Sequence, residues 1–156
     1  MLNIGQFRES IVQSTLKDLI LDSPELEELL VFTCAIESSG GTYIRQINGS
    51  GLGIYQMQPE TYNDIWQNYL KGRGMMCTKL LFNFDISFMA SPERMIYDLR
   101  FATAMAAIFY SSTSTPYPKK DKDDLWDYYK NYYNQQPSTL SDREEAMERY
   151  YAFLHC

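Results

Sequence analysis

A single glutamate, Glu37, stands where an apolar helical segment gives way to a glycine-rich loop. Leu26, Leu30 and Thr33 precede it at helical spacing, which places its carboxyl group on the buried face of the helix. Burial raises the pKa of a carboxyl group, and the negative end of the helix dipole acts in the same direction. The pattern therefore predicts a carboxyl group that keeps its proton near neutral pH, as a general acid must.

The loop after Glu37 holds five of the eight glycines of the chain, between residues 39 and 53. No other acid occurs before Glu60, so this region lacks the second carboxylate that most glycosidases place across the scissile bond. The pattern favours a reaction that one carboxyl group can catalyse. If a second carboxylate does act as a base, the candidates are Asp64, Asp85 and Asp98.

Helical patterns fill most of the chain and predict a mainly α single domain over residues 1–156. Ser23 is the expected N-cap of the helix that carries Glu37, with Pro24 at its first position. Further helices are expected at 5–21, 59–72, 91–110 and 124–134, and the segment 73–90 is expected to be irregular. Ser141 and Glu144 predict a capping box that opens a terminal helix.

The glycine-rich loop also contains a turn signal. Asn48-Gly49 is the dipeptide that favours a tight two-residue hairpin turn. The sequence therefore predicts a small β-hairpin near 43–56 within the otherwise helical domain.

The overall charge excludes some classes of partner. The formal net charge is -6 and no basic stripe is present, so a nucleic-acid partner is not expected. No apolar run is long enough to span a bilayer, and membrane insertion is not expected. The first residues lack a basic segment before an apolar core, so no signal peptide is predicted, and we expect folding in a cytoplasm or carriage in a particle.

The cysteines and the histidine give no metal-ligand spacing. Cys34, Cys77 and Cys156 are far apart and form no C-x-x-C pair, and the only histidine, His155, lies beside the C-terminus. We therefore predict free thiols, no metal site, no cofactor and no Cys-His or Ser-His nucleophile.

The segment "ESSGGTYIRQINGSGLGIYQMQPET" resembles the signature of the SLT-type lytic transglycosylases and the related goose-type lysozymes. That signature is Glu-Ser, a loop, and then Gly-Leu-Met-Gln-x-x-Pro-x-Thr. The resemblance implies that Glu37 is the catalytic acid and base, that Ser38 is the serine after it, and that Gln56 lines the sugar groove. Tyr55 replaces the usual Met of the signature, and the usual Asn-Pro after Glu-Ser is missing.

The family also has an Ala-Tyr-Asn-Ala-Gly motif whose tyrosine bonds the catalytic acid. Here "LWDYYKNYYN" occupies its place and is more similar to phage-borne members. Tyr133 is followed by Asn134 and so keeps the Tyr-Asn pair, whereas Tyr129 follows Trp126 at helical spacing. Both tyrosines stay candidates for orienting Glu37.

The resemblance implies a lysozyme-like domain that cleaves peptidoglycan between N-acetylmuramic acid and N-acetylglucosamine. Glu37 would protonate the glycosidic oxygen and then accept the proton of the muramyl 6-hydroxyl, which leaves a 1,6-anhydro end. The expected lining of the groove, besides Ser38 and Gln56, is Tyr43, Tyr55, Met57 and Tyr62, and Trp66 is a further aromatic candidate.

Three alternatives remain at this point. An inverting muramidase of the goose-type lysozyme kind would use one of the aspartates as a base. A virion structural or wall-binding module would keep the fold without turnover, and an unrelated helical interaction protein would carry the motif by coincidence. The resemblance implies a bacteriophage protein, either an endolysin held in the host cytoplasm until its release to the wall or a virion-associated lysin that contacts other virion proteins.

Overall fold

The computed structural model describes the whole chain, residues 1–156, and contains eight helices and no β-strand. Helices hold 63% of the residues, so the mainly α class predicted from the sequence is confirmed. One continuous hydrophobic core connects all parts of the chain, from Phe7 near its start to Phe153 near its end.

Helix α1 consists of Ile4–Gln6, the π-helical Phe7–Gln13 and Ser14–Leu19, and α2 is Pro24–Ser38. Helix α3 consists of Pro59–Asp64, the π-helical Ile65–Tyr69 and the 3₁₀ segment Leu70–Gly72. The remaining helices are α4, Gly74–Asn83; α5, Arg94–Tyr97; α6, Leu99–Ser112; α7, Lys122–Tyr132; and α8, Leu140–Leu154.

Helix α2 is the central element, because it contacts α1, α6, α7 and α8. Its start is the predicted one: Ser23 accepts a hydrogen bond from the backbone N–H of Leu26 at 3.1 Å, and Pro24 occupies the first position. Its end is set by Ser39, which adopts the left-handed conformation at φ 51° and stops the helix just after Glu37. The acid is thereby held on the last turn of the central helix.

The segment 91–110 forms two helices instead of the single one predicted. Asp98 lies between α5 and α6 in extended conformation, and its side chain accepts a hydrogen bond from the backbone N–H of Phe101 at 3.0 Å. This aspartate therefore acts as the N-cap of α6 and separates the two helices.

Two other boundaries differ from the prediction. The segment 73–90 is not irregular throughout, since α4 occupies Gly74–Asn83; no side chain caps its start, so the usual signal was missing from the sequence. The capping box of α8 is formed by Thr139 and Asp142, two residues earlier than predicted.

The hairpin predicted near 43–56 is reduced to isolated antiparallel bridges, between Arg45 and Leu52 and between Leu52 and Met57. Asn48 does adopt the left-handed turn conformation, at φ 57°. Residues 42–50, which would form the first strand, are all exposed and have no face to bury, whereas residues 51–57 are buried against the rest of the chain. An unsupported two-stranded hairpin is marginal in water, which explains why the segment forms a loop.

Candidate active site

The carboxyl group of Glu37 lies in the wall of an open cleft of about 430 Å³. The cleft is bounded by the end of α2, the loop that follows it, the start of α3, one residue of α6, and the end of α7 with the residues just after it. Glu37 is the only Asp, Glu, Lys, Arg or His in the lining. The lining residues are Glu37, Gln46, Gln56, Met57, Gln58, Thr61, Phe109, Tyr132, Tyr133, Asn134, Gln135 and Gln136.

Tyr129 on α7 is the direct partner of the acid. Its hydroxyl donates a hydrogen bond to Oε1 of Glu37 at 2.7 Å. The ring is buried and packs edge-on against Phe32 of α2, with ring centroids 5.9 Å apart. Core packing between α2 and α7 therefore holds the hydroxyl of Tyr129 within hydrogen-bonding distance of Glu37.

The direction of this hydrogen bond follows from Asn134. Its Oδ1 accepts hydrogen bonds from Nζ of Lys130 at 3.2 Å and from the backbone N–H of Gln136 at 3.2 Å. Both of these groups are only donors, so the amide is oriented with its Nδ2 toward the oxygen of Tyr129, 3.3 Å away. Since Nδ2 also can only donate, the phenol proton is directed to Glu37.

Burial is the main influence on the acid and raises the pKa of Glu37 from 4.5 to about 7. The hydrogen bond from Tyr129 and the positive charges of Arg149 and Lys130 act in the opposite direction and lower this pKa. Arg149 on α8 also donates to the backbone oxygen of Ile36 at 2.8 Å. The acid is thus balanced between its protonated and ionised forms near neutral pH.

Tyr133 has a different role from Tyr129. Its hydroxyl donates to the backbone oxygen of Tyr55 at 2.5 Å, and its ring stacks on that of Tyr129 with centroids 6.0 Å apart. The side chain therefore joins the end of α7 to the segment from Gly53 to Gln56 and forms part of the cleft wall. Of the two tyrosines left open by the sequence, Tyr129 contacts Glu37 and Tyr133 supports the loop.

Two of the predicted binding residues, Gln56 and Met57, line the cleft. Gln56 is held in the left-handed conformation at φ 52°, and its amide nitrogen donates to the backbone oxygen of Gly53 at 2.9 Å. Gln46 and Gln58, which were not predicted from the sequence, also line the cleft and are joined by a hydrogen bond of 3.1 Å. Glutamine carries no periodic or motif signal on its own, so only the folded loop reveals this cluster.

The structure does not bring Ser38, Tyr55 and Tyr62 to the cleft, and the predicted contact of their side chains with substrate is corrected here. The Ser38 hydroxyl donates to the backbone oxygen of Cys34 and accepts from the N–H of Gly41, each at 3.0 Å. The phenols of the two buried tyrosines are bonded to Thr103 and to the backbone oxygen of Ala90. These three residues are buried next to the cleft and stabilise the segments that form its walls.

Two other aromatic candidates also lie outside the lining of the cleft. Tyr43 is exposed on the loop that contains Gln46, and Trp66 is buried in α3. Neither ring is positioned to stack on a ligand beside Glu37 in this structure.

None of the three aspartates considered as a second base lines the cleft. Asp98 caps α6 and forms an ion pair with Arg94 at 3.0 Å, and Asp64 accepts a hydrogen bond from Asn68. Asp85 is exposed on the loop after α4. The site therefore contains one carboxyl group, as the spacing of acids in the sequence indicated.

The other reactive side chains are not gathered in this site. Cys34, Cys77 and Cys156 are free thiols, buried, half-buried and exposed respectively, and His155 is exposed near the chain end. No group of three or more His, Cys, Asp or Glu side chains is arranged to hold a metal ion. No helix combines the length and the apolar character that crossing a membrane requires.

No protein-family profile, curated protein or solved structure matches this chain. Its chemistry must therefore be inferred from the geometry of the cleft and from the short motif that contains Glu37 and Gln56.

Proposed function

We propose that the protein cleaves the glycan strand of peptidoglycan between N-acetylmuramic acid and N-acetylglucosamine, as a lytic transglycosylase with a lysozyme-like domain. The observation that carries the proposal is the single carboxyl group of Glu37 in a cleft that no other charged side chain lines. The pKa of this carboxyl group is raised to about 7, and it accepts a hydrogen bond from Tyr129. The resemblance of residues 37–61 to the family signature supports the same reaction.

The lining of the cleft suits a neutral, polyhydroxylated ligand. Five glutamines and one asparagine supply both donors and acceptors, which can bond hydroxyl and N-acetyl groups without preferring an ion. Phe109, Tyr132 and Tyr133 add aromatic surface for the apolar faces of sugar rings. The volume of about 430 Å³ is in the usual range for small-ligand sites and accommodates part of a glycan strand.

The reaction needs one group that first gives and then takes a proton. Protonated Glu37 donates its proton to the glycosidic oxygen, the bond from that oxygen to C1 of the muramyl residue breaks, and the N-acetylglucosamine side leaves as an alcohol. The muramyl 6-oxygen then bonds to C1 while its proton passes to the Glu37 carboxylate. No water is consumed, and the acid is restored in its starting form.

The pKa of about 7 suits both halves of this cycle. Burial favours the protonated acid before cleavage, whereas the hydrogen bond from Tyr129 stabilises the carboxylate that forms when the proton is given away. The nucleophile is part of the substrate, so proximity replaces a positioned water and the base that would activate it. Hydrolysis by inversion would need a second carboxylate, and the cleft contains none.

The partner in this proposal is the peptidoglycan glycan strand, with no cofactor. The tyrosine-rich block around Tyr129 and Tyr133 is similar to that of phage-borne members, which supports a bacteriophage lysin. Such a protein reaches the wall either by release from the host cytoplasm at lysis or as part of a virion that contains it.

The test uses purified peptidoglycan sacculi and mass spectrometry of the released muropeptides. The wild-type chain should release fragments with 1,6-anhydro ends, and Glu37→Gln should release none because it cannot transfer the proton. Glu60→Gln, which removes an exposed acid outside the cleft, is the matched control and should retain full activity. Reducing ends in place of anhydro ends would indicate hydrolysis, and full activity of Glu37→Gln would refute the proposal.

A further inference from the structure

Helix α4 exposes large apolar side chains on the face that points away from the core. Its inner face is formed by Met76, Cys77 and Leu80, which pack against the core. Met75 and Phe82, seven positions apart on the outer face, are 79% and 84% exposed. Such exposure of two large side chains on one helix is costly in water and has no role in the packing of the fold.

The same region has a charge opposite to that of the rest of the chain. Residues 65–88 contain Lys71, Arg73 and Lys79 and a single acid, the exposed Asp85, whereas the other residues contain eleven Lys and Arg against nineteen Asp and Glu. None of these three cations forms an ion pair within the chain. Lys79 lies between Met75 and Phe82 on the outer face, at the i, i+4, i+7 spacing that places all three side chains in one stripe.

A shallow apolar groove of about 310 Å³ adjoins this helix. One side is formed by Cys77 and Leu81 of α4, and the opposite side includes Lys71 and Phe88, of which Phe88 is 80% exposed. We call the surface made of these groups the α4 patch; its members are the exposed Lys71, Arg73, Met75, Phe82 and Phe88 and the half-buried Lys79. None of them lines the cleft that contains Glu37.

We propose that the α4 patch is a docking surface for bilayers that contain anionic phospholipids. Lys79 lies on α4, and Lys71 and Arg73 lie just before it. Cations beside exposed apolar side chains are the composition that binds the interfacial layer of a membrane, where lysine stems lie along the acyl region and their ammonium groups reach the headgroups. The contact is peripheral, because no helix is able to cross the bilayer. The proposal is independent of the chemistry at Glu37.

Other occupants explain the patch less well. A second copy docked by two-fold symmetry would bring the cations of both patches together, and like charges across an interface oppose association. A peptide seated in the groove would leave Met75 and Phe82 in water, because neither residue lines the groove. A lipid surface covers the projecting side chains and the groove together and supplies the negative charge.

The test is co-sedimentation of the full chain with vesicles, in the absence of peptidoglycan. Vesicles of phosphatidylcholine and phosphatidylglycerol in equal parts should bind the protein at least about tenfold more tightly than vesicles of phosphatidylcholine alone, because each cation near an anionic surface contributes about fivefold. Added salt should weaken the binding. Equal binding to both vesicles, or no binding to either, would overturn the proposal.

Matched variants separate the patch from general charge effects. Lys71→Glu with Lys79→Glu should weaken binding to the anionic vesicles at least about tenfold, whereas Lys119→Glu with Lys120→Glu, an exposed pair in the loop before α7, should change it far less. Phe82→Ser should also weaken binding about tenfold through lost burial, and Leu140→Ser, 71% exposed at the start of α8, should not. Equal losses in the control pair, or no effect of Phe82→Ser, would overturn the proposal.

Two further measurements address the competing occupants and the chemistry. Sedimentation velocity without lipid should show no self-association; a dimer that Phe82→Ser dissolves would instead assign the patch to a second copy. Glu37→Gln should bind vesicles like the wild type, so a failure of the catalytic proposal leaves this result unaffected. Retained thermal unfolding midpoints in all variants would confirm that only the surface has changed.

Discussion

The phenol of Tyr129 donates its proton toward Oε1 of Glu37 across 2.7 Å, although the two residues are 92 positions apart in the chain. The direction is set from outside the pair, because Asn134 presents only an N–H donor to the phenol oxygen. Burial meanwhile raises the pKa of Tyr129, so the phenol stays protonated and remains a donor. Burial thus raises the pKa of Glu37 and favours its protonated form, whereas the hydrogen bond from Tyr129 favours its ionised form.

The first prediction concerns this partner. Tyr129→Phe removes the hydrogen bond that lowers the pKa of Glu37, so this pKa should rise above 7 and the pH of maximal activity should move upward. A hydrogen bond to a charged group contributes about 1.5–3 kcal/mol, which predicts a loss of about tenfold to a hundredfold in turnover. Rates of sacculus lysis across a pH series measure both effects.

Tyr133→Phe is the control for this variant. It breaks the hydrogen bond to the backbone oxygen of Tyr55 and leaves the partner of Glu37 in place. It should therefore alter stability or substrate affinity while the pH of maximal activity stays constant. A shift of the pH profile in Tyr133→Phe alone would mean that the roles of the two tyrosines are reversed.

The second prediction concerns the orientation of the phenol. In Asn134→Asp the donor to Tyr129 becomes an acceptor, and the phenol proton is drawn away from Glu37. The new negative charge also disfavours ionisation of Glu37, so its pKa should rise further than in Tyr129→Phe. NMR titration of the Glu37 side chain measures the change directly.

The control for Asn134→Asp adds the same charge without touching the phenol. Gln135→Glu lies in the same cleft and makes no hydrogen bond to Tyr129. It should raise the pKa of Glu37 by less than Asn134→Asp does. Equal shifts in the two variants would show that charge alone acts, and that the orientation of Tyr129 by Asn134 has no effect.

The third prediction follows from linkage between protonation and folding. The pKa of Glu37 is about 7 in the folded chain and 4.5 is its ordinary value, so the folded state binds the extra proton between these two pH values. Stability should therefore fall as pH rises from 4.5 to 7, by up to about 3 kcal/mol from this residue alone. Below pH 4.5 the proton is bound in both states and this cost disappears.

Glu37→Gln isolates this contribution, because the amide does not titrate. In urea unfolding the variant should resemble the wild type near pH 4.5 and exceed it in stability above pH 7 by up to about 3 kcal/mol. Glu60→Gln, at an exposed position, should follow the wild type at every pH. If the difference in unfolding free energy between the wild type and Glu37→Gln did not change across this pH range, the carboxyl group of Glu37 would be exposed to water.

The position of the acid could be predicted from the sequence because helix signals are local. Ser23 and Pro24 define the start of α2, and the spacing from Leu26 to Glu37 defines its buried face. Helix α4 was not predicted because it starts without a capping side chain. Helices α5 and α6 were predicted as one helix because the sequence alone does not show that Asp98 is extended and caps α6.

The partner of the acid could not be chosen from the sequence. Tyr129 and Tyr133 lie four positions apart, Tyr133 directly after the end of α7, and either could reach the end of α2 by spacing alone. The choice is made by tertiary packing, which sets Tyr129 against Phe32 and leaves Tyr133 above the loop at Tyr55. Similarly, nothing in the sequence shows that Ser38 and Tyr62 turn away from the cleft.

The last prediction concerns Gly53, the first residue of the segment 53–61 that resembles the second part of the family signature. Gly53 has φ 75°, and a Cβ at this position would collide with the backbone oxygen of Met95, so both conformation and space require glycine. Gly53→Ala should therefore destabilise the chain by more than about 2 kcal/mol. Gly74→Ala is the matched control, because a Cβ there meets nothing within 4 Å, and it should change stability little.

The same substitution should also affect the cleft. The side-chain amide of Gln56 donates a hydrogen bond to the backbone oxygen of Gly53, so displacement of Gly53 should move this amide away from the wall of the cleft. At a temperature where Gly53→Ala remains folded, lysis should fall through weaker substrate binding, whereas the pKa of Glu37 stays near 7 because its partner Tyr129 lies on another element. Unfolding curves and lysis rates for the two alanine variants check both statements, and a fully stable Gly53→Ala would contradict the close approach of this loop to Met95.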